Sequence, residues 1–161
     1  MNSLFIAVVM QACLSAAESD DYVAAQREAE KGKPLVVLVG TEWCPPCQTM
    51  KNSVIPQVRK RGLLRRVAFA IVNPDRNKRL ARQITGGTTS IPQLVMYRKT
   101  SDGWKRRKLV GGQSVENVES FINNGLAQDA KEKKSAKTRD GRQSDPGQNR
   151  RGSLASTPSS K

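Results

Sequence analysis

Histidine is absent from this chain. No imidazole can act as a general base, pair with a serine or cysteine nucleophile, or ligate a metal, which excludes His-dependent hydrolases and His-containing zinc or copper sites. Cysteine is scarce, with only Cys13, Cys44 and Cys47. Acidic residues are half as frequent as basic ones, 14 Asp plus Glu against 28 Lys plus Arg, and the formal charge is +14. Such a charge favours polyanions, anionic membrane surfaces or acidic partners and says nothing about fold. Apolar residues make up 37%, against about 45–50% in globular domains when glycine is counted with them. The deficit falls mostly at the C-terminus. From Ala127 on there is one large aliphatic residue, Leu154, and no aromatic. Residues 127–161 cannot bury enough surface to offset their ordering entropy and are expected to form a basic disordered tail.

What is present begins with an apolar stretch. Leu4 to Ala17 is nearly free of polar groups and ends in Ser15-Ala16-Ala17. It is too short to span a bilayer as a helix, which takes about 20 residues. Small residues at its end fit a signal peptide, residues 1–17, cleaved near Ala17, although no Lys or Arg precedes it. The alternatives are a lipoprotein signal with Cys13 as the lipidated residue and a buried N-terminal helix. With the signal removed, Cys44 and Cys47 are the mature chain's only cysteines, in a compartment where disulfides persist.

Residues 19–31 read as a helix with Tyr22, Ala25 and Ala29 on one stripe. Leu35 to Val39 is a continuous, β-branched apolar run, the pattern of a strand buried on both faces. A helix from about Pro45 to Ser53 follows, and Pro56 cannot continue it without a kink. Val67–Val72 is a second strand, Asn77–Ile84 a helix, Gln93–Tyr97 a third strand and Trp104–Val110 a fourth, reached through the turn Ser101-Asp102-Gly103. Ser114 caps a last helix with Val115, Val118, Phe121 and Ile122 inward. The order α-β-α-β-α-β-β-α implies an α/β domain over residues 18–126, with parallel crossovers first and an antiparallel hairpin last.

Chemistry concentrates in TEWCPPCQTM, residues 41–50. Cys44 stands between a strand end and a helix start, where free N–H groups and the positive end of the helix dipole favour a thiolate, the species that attacks disulfides. Cys47, one helical turn on, can resolve a mixed disulfide intramolecularly. Pro45 and Pro46 sit where N–H groups have no helical partner, so they stiffen the active-site turn at the expense of donors to the thiolate. A staple across two residues would stabilise little. A zinc or iron–sulfur site needs about four ligands, and neither histidine nor further cysteine supplies them. No metal or cofactor is expected.

The chain resembles the thioredoxin superfamily over about 105 residues. The matches are Lys33-Pro34 before an apolar strand, Glu42-Trp43-Cys44-Pro45-Pro46-Cys47 at the strand-to-helix turn, Asn73 and Asp75 after the next strand, Ile91-Pro92 before the third, and Gly111 after the fourth. KPLVVLVGTEWCPPCQTMKNSVIPQV is especially similar to the extracytoplasmic thioredoxin-like group, including the C-terminal domain of membrane disulfide transporters. The resemblance implies a central, mixed four-stranded sheet flanked by helices. It implies Cys44 and Cys47 as the catalytic pair, and Trp43, Ile91 and Pro92 beside the substrate. Pro92 would be cis, with the backbone before it pairing with substrate peptide. Protein thiols or disulfides and a redox partner protein would be the partners of a monomeric enzyme in the periplasm or secreted. Three positions depart from the family: Leu38 stands for a buried acid, Ile71 for a lysine near it, and Gly40 for an aromatic residue.

Two functions of different class therefore stand. One is a thiol–disulfide oxidoreductase acting outside the cytoplasm. The other is a non-catalytic binding module on the same scaffold, contacting polyanions through its basic surface and tail.

Overall fold

The computed structural model describes residues 21–100 and 102–142. The expected signal peptide with Cys13, and the tail from residue 143, lie outside the described residues. Helix α1 covers residues 21–30, strand β1 Leu35–Val39 and helix α2 the turns from Pro45–Thr49 to Ile55–Lys60. A 3₁₀ turn, Leu63–Arg66, leads to β2 (Ala68–Val72), α3 (Lys78–Thr85), β3 (Gln93–Thr100), β4 (Gly103–Val110) and α4 (Val115–Arg142).

The sheet order is β2-β1-β3-β4. β1 runs parallel to β2 and antiparallel to β3, and β4 closes the hairpin with β3. This is the mixed four-stranded α/β sheet, with helices on both faces, that the resemblance implies. Every residue of β1 is buried, as its unbroken apolar run requires, and alternate side chains feed two cores. Val36 and Leu38 join Leu94 and Met96 under α2 and α4, through Met50, Val54, Val58, Val118 and Ile122. Leu35, Val37 and Val39 face the other way, onto Ala25 and Ala29 of α1 and Ala81 and Ile84 of α3. Each large side chain fully withdrawn from water contributes about 1.5–3 kcal/mol, so β1 anchors both layers and fixes where its C-terminal end points.

The structure corrects the sequence reading at two helices. α2 does not stop near Ser53. Residues Met50–Val54 form a π-helical turn, with the Ile55 N–H donating to the Met50 carbonyl five residues back. The wider turn carries the chain past Pro56, which has no N–H to give and would clash in a regular turn. α4 passes the expected boundary at 126 and runs to Arg142, so residues 127–142 are helical rather than disordered. Their attachment is polar. Lys133 Nζ pairs with the buried Asp129 at 2.7 Å and donates to the Gly32 carbonyl at 2.9 Å. Arg98, 4% exposed, pairs with Glu132 at 3.1 Å. A count of large aliphatic residues does not register such partners.

Candidate active site

β1 ends at Val39, and the chain crosses Gly40 to Glu42 before α2 begins. Cys44 is the N-cap of α2, in extended conformation, with Pro45 and Pro46 in the first turn. The structure joins Cys44 and Cys47 in a disulfide with the Cα atoms 5.2 Å apart. Both are buried, at 6% and 3% exposure. Little of either side chain therefore reaches solvent. Gly40 packs directly behind it: a Cβ there would lie 2.9 Å from Cys47 Cβ and 3.0 Å from its Sγ. The absence of an aromatic side chain at Gly40 has a steric reason, since α2 sits tight on the end of β1.

Trp43 is 69% exposed beside the pair. Its indole Nε1 donates to Asp75 Oδ2 at 2.9 Å, and the Asp75 amide donates to Asn73 Oδ1 at 2.9 Å. The turn after β2 thus holds the indole in place across 32 residues of sequence. This role of Asn73 and Asp75 is not visible in the sequence, where the Asn-Pro-Asp turn signal is the available clue.

The Ile91–Pro92 peptide is cis. Pro92 is buried and Ile91 partly so. The Pro92 carbonyl accepts from the Gly111 amide at 2.8 Å. A Cβ on the adjacent Gly112 would sit 3.5 Å from Pro46 Cβ, and Gln113 N donates to Met50 Sδ at 3.3 Å. The loop after β4 therefore links the proline turn to the first turns of α2. Trp43 and Ile91 line one cleft of about 220 Å³, shared with Asp75, Lys78, Arg82 and Thr88.

A second, much smaller cleft lies on the inner side of Cys47, lined by Leu38, Gly40, Thr41, Glu42, Lys51 and Ile71, with Asn73 behind. Leu38 and Ile71 are register partners across β1 and β2. The positions of the family's acid and lysine are thus neighbours here, and an apolar pair occupies both. At the cleft, Lys51 Nζ pairs with Glu42 Oε1 at 2.9 Å. That hydrogen bond, with the Lys51 charge behind it and Arg76 further off, holds the Glu42 carboxyl below the usual carboxylate range. Gln48 donates its side-chain amide to the Glu42 carbonyl, fixing the backbone of that residue. Among the described residues, no group of three or more His, Cys, Asp or Glu side chains is placed to hold a metal ion.

The model of a family described as thioredoxin-like matches residues 16–99. No curated protein matches the chain. Among solved structures, the chain is similar to a thioredoxin from Trichomonas vaginalis at 25% identity and a TM-score of 0.51, covering 65% of this chain and 89% of that one. A thioredoxin from Thermus thermophilus is 21% identical with a TM-score of 0.55, covering 69% of this chain and 85% of its own. A chloroplastic thioredoxin z is 19% identical with a TM-score of 0.51, over 62% of this chain and 83% of its own. The last two speak for the fold alone.

Proposed function

The chain belongs to the thioredoxin-like family, and we propose that it works outside the cytoplasm as a thiol–disulfide oxidoreductase on protein thiols and disulfides. One observation carries the chemistry: two cysteines, bonded to each other, at the strand-to-helix turn of a thioredoxin fold. In the reducing direction the Cys44 thiolate attacks a substrate disulfide, releases one substrate thiolate and forms a mixed disulfide. Cys47 then attacks Cys44 Sγ, breaks the mixed disulfide and expels the second thiolate. Substrate gains two electrons and the cysteine pair loses them. Trp43 and Ile91, which share one cleft, flank the substrate polypeptide, and the backbone before Pro92 pairs with it.

Cys47→Ser should accumulate mixed disulfides with client proteins, visible as adducts that dithiothreitol releases. Cys44→Ser should form none. A wild-type chain that turns over no protein disulfide, together with a Cys47→Ser variant that traps nothing, would sink the reading.

Placement outside the cytoplasm is supported by the apolar Leu4–Ala17 stretch ending in small residues, and by the likeness of residues 33–58 to extracytoplasmic relatives, including the C-terminal domain of membrane disulfide transporters. Fractionation followed by mass spectrometry of the mature N-terminus tests it. A start near Glu18 outside the cytoplasm is expected, and an intact Met1 in the cytosol is the contrary result.

The run Lys105-Arg106-Arg107-Lys108 along β4 favours a second reading, contact with a polyanion through the basic surface. Binding to an acidic polymer should then fall with added salt and survive replacement of both cysteines.

A further inference from the structure

Resolution of the mixed disulfide needs Cys47 as a thiolate, yet the positions that handle its proton in the resembling family are Leu38 and Ile71. The small cleft at Cys47 shows where that proton can go. Its volume is about 10 Å³, room for a single water. Leu38 and Ile71 are apolar and Gly40 offers no side chain. Asn73 is a neutral amide whose oxygen already accepts from Asp75 N. Lys51 is a donor only. Thr41 Oγ1 is buried and finds no partner among the described residues; a hydroxyl can pass a proton along but is not a base. Glu42 is the single lining group that can accept a proton and keep it.

We propose that Glu42 is the proton acceptor for Cys47, with Lys51 as the positioning residue that holds its carboxylate at the cleft. The inference rests on the oxidoreductase reading above. The Cys47 S–H bond breaks, and the proton passes to the Glu42 carboxylate directly or through one water on the Thr41 hydroxyl. Cys47 Sγ bonds to Cys44 Sγ, the bond from Cys44 to the substrate sulfur breaks, and its electron pair leaves on the substrate thiolate. Glu42 then gives the proton to that thiolate or to solvent. The charges facing the acceptor are Lys51 on α2 and Arg76 in the turn after β2; β1 and β2 present only Leu38 and Ile71. Both cations keep the carboxylate ionised in the pH range in which thiols titrate. The tight pairing with Lys51 keeps it weakly basic, so a modest share of the general-base range of about 10²–10⁴ is expected.

The test is rapid-quench single turnover of the reduced full chain with a protein disulfide, following release of the first and second substrate thiols separately. Glu42→Gln should slow second-thiol release about tenfold or more at pH 7 and leave first-thiol release unchanged, and the deficit should close as rising pH ionises Cys47 unaided. Glu42→Asp should recover part of the rate. Lys51→Met should move the acid limb of the second step to higher pH, because the carboxyl loses the cation that holds it low. The proposal is overturned if Glu42→Gln leaves the second step and its pH profile intact, or slows both steps equally. A wild-type chain that releases no thiol would instead overturn the oxidoreductase reading.

Discussion

Single residues decide how closely the cysteine pair is held. Gly40 is the sharpest case, because α2 leaves no space for a side chain behind Cys47. Gly40→Ala should destabilise the oxidised protein by about 1–3 kcal/mol, the usual range for forcing a methyl into a packed site, measured by urea unfolding beside the parent. An unchanged midpoint would mean that the turn relaxes freely. Cys44, Cys47 and the two prolines were legible in the sequence because their relation is local: three residues, one turn, one covalent bond. Trp43–Asp75 and Glu42–Lys51 were not. The first joins residues that meet only once β2 lies beside β1, the second meets only once the turn after β1 folds onto α2, and neither spacing forms a pattern in one dimension.

At the scale of elements, the strands were the most readable part, since β-branched runs bounded by glycine and proline leave few alternatives. The helices were harder where polar contacts, not apolar stripes, set their ends. Asn77 caps α3, accepting from Leu80 N at 3.1 Å, and Asn77→Ala should cost about 1 kcal/mol in thermal or chemical unfolding. The far half of α4 follows other rules. Its Lys, Glu and Ala residues have good intrinsic helix propensity, and the nearly buried Arg98 on β3 gives it something to hold. Glu132→Gln should leave that guanidinium short of its counter-charge and cost about 1–3 kcal/mol. If stability does not move, the distal half of α4 does not contribute to the fold through this pair.

For the whole molecule, charge is the governing quantity. Glu28, Glu42 and Glu116 all titrate below the ordinary glutamate value of 4.5, through hydrogen bonds from Lys33, from Lys51 and from the Glu116 backbone amide respectively. A carboxyl depressed in the folded state adds stability above its unfolded pKa and loses it as pH falls through the folded one. The melting temperature should therefore be level at neutral pH and decline once pH drops below about 5, the more steeply because each proton enlarges a formal charge already at +14. A melting series from pH 7 to pH 3 at two salt concentrations checks both points: salt should soften the decline. A temperature unchanged down to pH 3 would show that these pairs do not act on stability. The same excess of cations touches an outcome unrelated to catalysis. Among the described residues β4 is the outer strand on its side of the sheet, bonded only to β3, and such an edge is a template on which another copy's strand could add. Lys105 to Lys108 line that strand, so two such edges brought together would set ammonium and guanidinium groups against their like. The repulsion guards against runaway sheet growth in dilute salt, and neutralising those four side chains should make the protein more prone to aggregate without changing how the cysteines react.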